Sequence, residues 1–283
     1  MSDEPTAKSA VVADPGASTT ILEAHAVRRA FGGLIAVDVE RFSVPRNEIV
    51  GLIGPNGAGK TTFFNVLTGF ERADSGEWTF DGRSLAGKAS YRIARAGMVR
   101  TFQIPKALSK MTVLENMKLA APRQRGEHFF AALVRPSWMA QDRQVEARAD
   151  ELLDWVGLAA KRSDYAGTLS GGQRKLLELG RALMTDPKLL MLDEPTAGVS
   201  PALTEQLLER IQGLQGLGLT VLFVEHDMDV VTTISDRVVC MAEGKVIAEG
   251  TPREVVSNSA VIDAYLGTHH GSSASSTSTG EGA

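Results

Sequence analysis

Eight consecutive residues, Gly54-Pro55-Asn56-Gly57-Ala58-Gly59-Lys60-Thr61, place glycines, a lysine and a threonine at the spacing G-x-x-x-x-G-K-T. Glycines let the backbone wrap so that its N–H groups face anionic oxygens with no side chain in the way. The start of a helix adds free donors and partial positive charge. At this spacing Lys60 would reach the β- and γ-phosphates of a nucleoside triphosphate, and the Thr61 hydroxyl would ligate Mg²⁺. Thr62 follows in the same stretch. The bland alternative is a glycine-rich turn. The flanks argue against it, since apolar Ile49–Ile53 precedes the loop and the helical stretch Thr61–Leu67 follows.

Two further clusters carry chemistry of their own. Leu189-Leu190-Met191-Leu192-Asp193-Glu194 delivers two acids at the end of an apolar run. Strand C-termini are where open α/β sheets gather their ligands. Asp193 would hold Mg²⁺ through water. Glu194, one residue on, would point at an attacking water as general base. Acids commonly end strands, so the pair gains its meaning from the phosphate loop. Leu169-Ser170-Gly171-Gly172-Gln173 opens a helical stretch from about Arg174 to Met184, and two glycines at a helix start expose N–H donors to an anion. Taken as physics alone, this is a capped helix with an anion-friendly end.

These clusters need elements to position them. Thr20–His25, Glu40–Val44, Ile49–Ile53, Glu77–Phe80, Leu189–Leu192, Leu219–Val224 and Arg237–Met241 read as strands. Helices are expected after Gly59, Gln173, Ser200 and Asp227, giving an α/β sheet covered by helices. Residues from about 106 to 180 lack strand signals and read as a helical subdomain inserted into that core. Capping boxes are expected at Thr112/Glu115 and Ser170/Gln173. Ser200 before Pro201 suits an N-cap followed by a first-turn proline. Residues 1–19, and the Ser/Thr/Gly-rich stretch 268–283 with His269 and His270, read as flexible ends.

Composition removes several function classes. With 283 residues, 43% of them hydrophobic, the chain can bury a large core. No apolar run approaches the roughly 20 residues of a spanning helix, and the N-terminus has no secretory pattern. The single cysteine, Cys240, excludes an internal disulfide framework and fits a reducing compartment as a small buried residue. A net charge of −4 argues against general nucleic-acid binding.

The loop at 54–61, LSGGQ at 169–173 and LLMLDE at 189–194 together resemble the ABC ATPases in order and spacing, over about Ile21–Gly267. The resemblance implies a P-loop RecA-like core with an antiparallel β subdomain and an inserted helical subdomain, in an ABC ATPase domain over 20–267. It implies ATP and Mg²⁺ as cofactors and a dimer in which each ATP is shared. Ser170 and Gly172, with Gly171 and Gln173 around them, would then meet the γ-phosphate bound by a partner cassette. Gln103 matches the glutamine that senses Mg²⁺ and the membrane partner, His226 the histidine at the γ-phosphate, and Phe31 the aromatic ring against adenine, without the usual tyrosine hydroxyl. In one departure, Ala197-Gly198-Val199-Ser200-Pro201 stands where the family usually has S-A-L-D. The aspartate contact across the dimer is thereby lost.

Phe31-Gly32-Gly33-Leu34, Asn65–Phe70, Arg100-Thr101-Phe102-Gln103, Glu225-His226-Asp227-Met228 and Ala264-Tyr265-Leu266-Gly267 further resemble the ATPases of branched-chain amino acid importers. The stretch from about Glu127 to Gln141, with Phe129, Phe130, Leu133 and Trp138, resembles an insertion of that subfamily. This implies a peripheral ATPase at the cytoplasmic face of the cell membrane. Its implied partners are a second, non-identical cassette, two permeases and, indirectly, an extracytoplasmic solute-binding protein. Three rivals stand beside this reading: an export ATPase of the lipopolysaccharide kind, which shares the Ala-Tyr-Leu-Gly ending; a nucleotide-binding regulator without catalysis; and a DNA- or ribosome-acting relative. The last would need a long coiled coil or two cassettes, and the chain carries neither.

Overall fold

The computed structural model describes residues 19–101, 107–122 and 135–270. Two sheets form the frame. β1 (Thr20–Phe31), β2 (Leu34–Pro45), β4 (Ser75–Phe80) and β5 (Arg83–Ser84) make an antiparallel sheet in the order β2-β1-β4-β5. β3 (Ile49–Ile53), β6 (Met98–Arg100), β7 (Leu189–Asp193), β8 (Thr220–Val224), β9 (Arg237–Ala242) and β10 (Lys245–Gly250) make the second sheet, in the order β10-β9-β3-β8-β7-β6. Its strands are parallel except β10, which runs antiparallel to β9 along the edge.

Every residue of β3, β7 and β8 is buried, as unbroken apolar runs require of central parallel strands. Side-chain alternation sends one set of their residues to each face. Val50, Leu52, Leu189, Met191, Leu222 and Val224 join a core shared with the antiparallel sheet. Helix α1 (Lys60–Leu67) lies in that core through Phe63, Phe64, Val66 and Leu67, and Phe63 meets Phe42 edge-on at 5.1 Å between centroids. Ile49, Ile53, Leu190, Leu192, Val221 and Phe223 face the opposite core, where helices cover them.

The remaining helices are α2 (Ser90–Arg95), α3 (Val113–Ala120), α4 (Arg135–Trp155), α5 (Gly171–Leu183), α6 (Pro201–Gly216), α7 (Met228–Ile234), α8 (Pro252–Val256) and α9 (Ser259–His270). α3, α4 and short 3-10 turns at Ala159–Lys161 and Ala166–Thr168 occupy the stretch expected to be helical. α5 crosses the expected boundary at 180, and Leu176, Leu177, Leu179, Ala182 and Leu183 bury it in the same core as the sheet. Both expected capping boxes form: Thr112 with Glu115, and Ser170 with Gln173. Ser200 takes the N-cap position before Pro201, but its hydroxyl makes no capping bond.

α9 reaches His270, three residues into the expected C-terminal tail. Residues 1–18 and 271–283, most of the Glu127–Gln141 stretch and Gln103 lie outside the described residues. Among the described residues no helix is long and apolar enough to cross a membrane.

Candidate functional site

Sheet register brings the chemical clusters together. Leu52 of β3 lies beside Val224 of β8, which lies beside Asp193 of β7. The phosphate loop, Glu225-His226 and Asp193-Glu194 therefore all leave the same edge of the parallel sheet. The loop is braced from outside. The Gly244 N–H donates to the Ala58 carbonyl at 3.0 Å, while the Asp38 N–H donates to the Gly244 carbonyl at 2.8 Å. Two glycines are demanded by close approach: a Cβ on Gly54 would sit 2.1 Å from the Met241 carbonyl oxygen, and one on Gly59 would sit 2.2 Å from that of Ala36. At Gly57 the space is open, and its φ of 80° is the reason for glycine there.

Lys60 turns back into the loop and donates to the carbonyls of Gly54 at 2.5 Å and Pro55 at 3.0 Å. Burial pushes its pKa down, and the nearby Glu194, Cys240 and Asp193 pull it back up. Thus both acids of β7's end lie within electrostatic reach of the lysine. Beneath the loop, the Gly54 N–H donates to the Tyr265 hydroxyl of α9 at 2.9 Å. The phenol is pushed up to about 12 by burial, with Cys240 adding to the shift and the Gly54 N–H opposing it. Cys240 is fully buried in β9, and burial raises its thiol to about 11.

Asp193 is 3% exposed. Its Oδ2 accepts from Arg100 at 2.6 Å, while its Oδ1 is buried with no hydrogen-bond partner. An orphaned carboxylate oxygen near a phosphate loop fits a hard cation or its bound water. Thr61, exposed at the start of α1, presents a further oxygen.

Glu194 holds a left-handed backbone at φ 46°, which is uncommon for a non-glycine residue. The Glu194 N–H donates to the Val224 carbonyl at 3.0 Å, and its own carbonyl accepts from the Lys175 ammonium at 2.9 Å. Lys175 comes from α5, three residues into the helix beyond Gly172. Burial lowers its pKa, and the carboxylates of Glu178, Glu225, Glu194 and Asp193 oppose that shift. His226 projects with its side chain 64% exposed, and its Nδ1 stands 3.9 Å from Glu194 Oε1 and 3.7 Å from Glu225 Oε2. Glu225, fully buried, accepts from the Thr196 N–H at 3.1 Å, the Thr196 hydroxyl at 2.5 Å and the His226 N–H at 3.2 Å. The buried carboxylate thereby ties the turn after Glu194 to the turn that carries His226.

The structure brings together Gly54–Thr62, Asp193, Glu194 and His226. Phe31 ends β1, 46% exposed, with the Arg29 guanidinium 4.5 Å over its ring. Ser170–Gln173 are not joined to this group: among the described residues no hydrogen bond or ion pair links them to Gly54–Thr62. The signature turn packs instead on the start of α6, where a Cβ on Gly172 would meet Leu203 at 2.7 Å. Sequence reasoning missed Lys175, Glu225, Tyr265 and Arg100 as parts of the site. An acid closing the buried run of β8 was a signal for Glu225; the others are recognisable only from their partners.

A phosphate loop at a parallel-sheet edge, two acids at the end of a strand one removed from it and a detached LSGGQ turn define a nucleotide-binding cassette. Residues 37–197 match the ABC transporter family, and the chain belongs to it as an ATP-binding cassette ATPase. Residues 245–271 match the family described as branched-chain amino acid ATP-binding cassette transporter. The chain is 43% identical over 247 residues to the probable branched-chain amino acid transport ATP-binding protein LivG of Archaeoglobus fulgidus, covering 87% of this chain and 95% of that one. It is 42% identical to the high-affinity branched-chain amino acid transport ATP-binding protein BraF of Pseudomonas aeruginosa, covering 88% and 99%. A solved ATP-binding cassette of an ABC transporter in its ADP conformation superposes with a TM-score of 0.76 at 36% identity, covering 88% of this chain and all of that one.

Proposed function

We propose that this chain binds Mg²⁺·ATP at Gly54–Thr62 and hydrolyses it to drive import of branched-chain amino acids or related small amino-acid and amide solutes. Gathering Lys60, Asp193, Glu194 and His226 at one sheet edge is the observation that carries the catalytic half of the reading. The match at 245–271 and the names of the relatives support the importer half. The Ala264–Gly267 ending lies inside that match but is shared with the export rival, so it is the family's description and the relatives' names that favour import.

In this reading the backbone donors of the loop and Lys60 grip the phosphates. Lys60 exchanges its bonds to Gly54 and Pro55 for phosphate oxygens. Thr61 and Asp193, with Gln103, would hold Mg²⁺, which would neutralise charge on the phosphates. Glu194 takes the proton of the attacking water, and His226 donates toward the γ-phosphate. Phe31 offers its ring to adenine. Ser170–Gln173 close over ATP held by a second, related cassette. Moving that closure from 1:99 to 99:1 needs about 5.5 kcal/mol. A few charge-assisted hydrogen bonds of about 1.5–3 kcal/mol each suffice. The motion would be passed to two permeases fed by an extracytoplasmic binding protein, with the cassettes peripheral to the cytoplasmic face of the membrane.

The test is reconstitution of the chain with its partner cassette, permeases and binding protein in proteoliposomes. ATP-dependent uptake of labelled leucine, isoleucine or valine is expected, and Lys60→Ala should abolish it. ATP hydrolysis that answers to none of these solutes or their amide relatives would sink the importer reading.

A further inference from the structure

Arg100 makes contacts that the proposed mechanism does not use. It closes β6 at the sheet edge, paired in register with Met191 of β7. Its side chain is only 10% exposed. Nη2 donates to Asp193 Oδ2 at 2.6 Å, and Nη1 donates to Asn65 Oδ1 at 2.6 Å and more weakly to Thr68 Oγ1 at 3.5 Å. The guanidinium carbon lies 5.6 Å from the Phe64 ring centroid and 5.9 Å from that of Phe70. Asn65 stands one helical turn beyond Thr61, so a single cation joins α1, which carries the loop's threonine, to the acid at the end of β7.

Arginine–carboxylate pairs are frequently bidentate, with the guanidinium gripping both oxygens. Here it takes Oδ2 alone and leaves Oδ1 buried and unpartnered. Burying such a pair is costly, and well-packed apolar residues would stabilise the core at least as well. The asymmetry has a use if the second oxygen is reserved for something that arrives later.

We propose that Arg100 is a positioning residue for the metal: it fixes the Asp193 carboxylate, through Oδ2 and against Asn65, so that Oδ1 faces incoming Mg²⁺ or its bound water. This rests on the reading of Asp193 as the Mg²⁺ ligand given above. Partners that orient ligating carboxylates are typically worth about 10–100-fold in metal affinity. The guanidinium's own positive charge acts the other way, so the sign of the effect decides between positioning and simple neutralisation.

The experiment measures Mn²⁺, as a Mg²⁺ substitute, bound to the full chain with ADP, read from the loss of the free-ion electron paramagnetic resonance signal. ADP affinity is followed in parallel in EDTA. Arg100→Met is expected to weaken Mn²⁺ binding about 10–100-fold and to leave metal-free ADP affinity within about twofold, since among the described residues no hydrogen bond or ion pair joins Arg100 to Gly54–Thr61. Arg100→Lys keeps the charge but not the fork, and should fall between the two; it also carries the test if the methionine variant is unstable. Mn²⁺ binding that is unchanged or tighter in both variants overturns the proposal. Asp193→Asn separates the two levels. If it too leaves Mn²⁺ binding intact, the assignment of Asp193 fails; if only the Arg100 variants are silent, the positioning role alone fails.

Discussion

The residue proposed as general base sits on a strained backbone. Glu194 at φ 46° costs on the order of 1 kcal/mol or more relative to an ordinary conformation. Three bonds hold it there: its own N–H donates to the Val224 carbonyl, and its carbonyl accepts from the Lys175 ammonium and, at 3.2 Å, from the Ala197 N–H. Of these, only the lysine comes from the helix that starts at the signature turn, so movement of α5 is felt directly at Glu194. Lys175→Met should therefore lower kcat about tenfold, the loss of one charge-assisted hydrogen bond of about 1.5 kcal/mol, while leaving the KM for ATP within about twofold. Lys175→Arg should recover part of the rate. Steady-state kinetics on the assembled complex reads both, and an effect on KM alone would place Lys175 outside the hydrolysis step. This contact also marks the limit of what the sequence reveals at this scale. Gly54–Thr61 were legible from their own spacing, and Asp193-Glu194 from ending an apolar run in a chain that carries that loop. Lys175 and Arg100 were not, because each acquires meaning only from an acceptor 19 and 93 residues away.

Among the elements, legibility followed burial. β3, β7 and β8 announced themselves as unbroken apolar runs, since both faces of each are covered. β5, β6 and β10 escaped notice: the first two are two and three residues long, and β10 is an edge strand of mixed polarity with no fully buried residue. Helix starts were read at Thr112, Ser170 and Asp227, whose side chains cap, but also at Gly59 and Ser200, which make no capping bond, while the capping box of Thr251 with Glu254 went unread. The hold between the two sheets went unread as well. Asp81, in the turn between β4 and β5, takes Lys188 at 2.5 Å from the start of β7 and also pairs with Arg46 beyond β2. Lys188, then Arg46, draw its pKa down from 3.8 to about 2. Folding thus favours the charged carboxylate. The stabilisation is complete above the unfolded value of 3.8 and disappears as pH falls through about 2. Because solvent screens this surface network, its worth is about 1 kcal/mol rather than the full shift. Asp81→Asn, which tolerates the same left-handed turn, should cost about that much in urea melts at pH 7. The gap to wild type should narrow steadily between pH 4 and pH 2. A constant gap across that range would mean that packing, not charge, joins the sheets there.

At the scale of the molecule, the decisive feature is that the signature turn and the phosphate loop belong to one chain but do not meet in it. Gly172 is locked against Leu203 and Val199 at the start of α6, and Ser170 and Gln173 satisfy one another in a capping box. The turn is a finished piece of structure with exposed edges at Ser170 and Gly171, ready to meet something outside its own chain. If that something is the ATP of a partner cassette, a lesion in the turn and a lesion in the loop must separate cleanly. Ser170→Arg puts a bulky cation where the γ-phosphate contact would form. It should leave the isolated chain's affinity for ATP within about twofold, because the chain's own loop is untouched. ATP-dependent association with the partner should fall roughly 10–150-fold, the equivalent of one charge-assisted contact of about 1.5–3 kcal/mol. Lys60→Ala should show the opposite pattern, losing ATP affinity already in the isolated chain. Calorimetry on the single chain and analytical ultracentrifugation of the pair, each with and without ATP, measure the two quantities independently. A Ser170→Arg chain that can no longer bind ATP by itself would mean that the signature acts within its own chain, and the shared-site dimer would have to be abandoned.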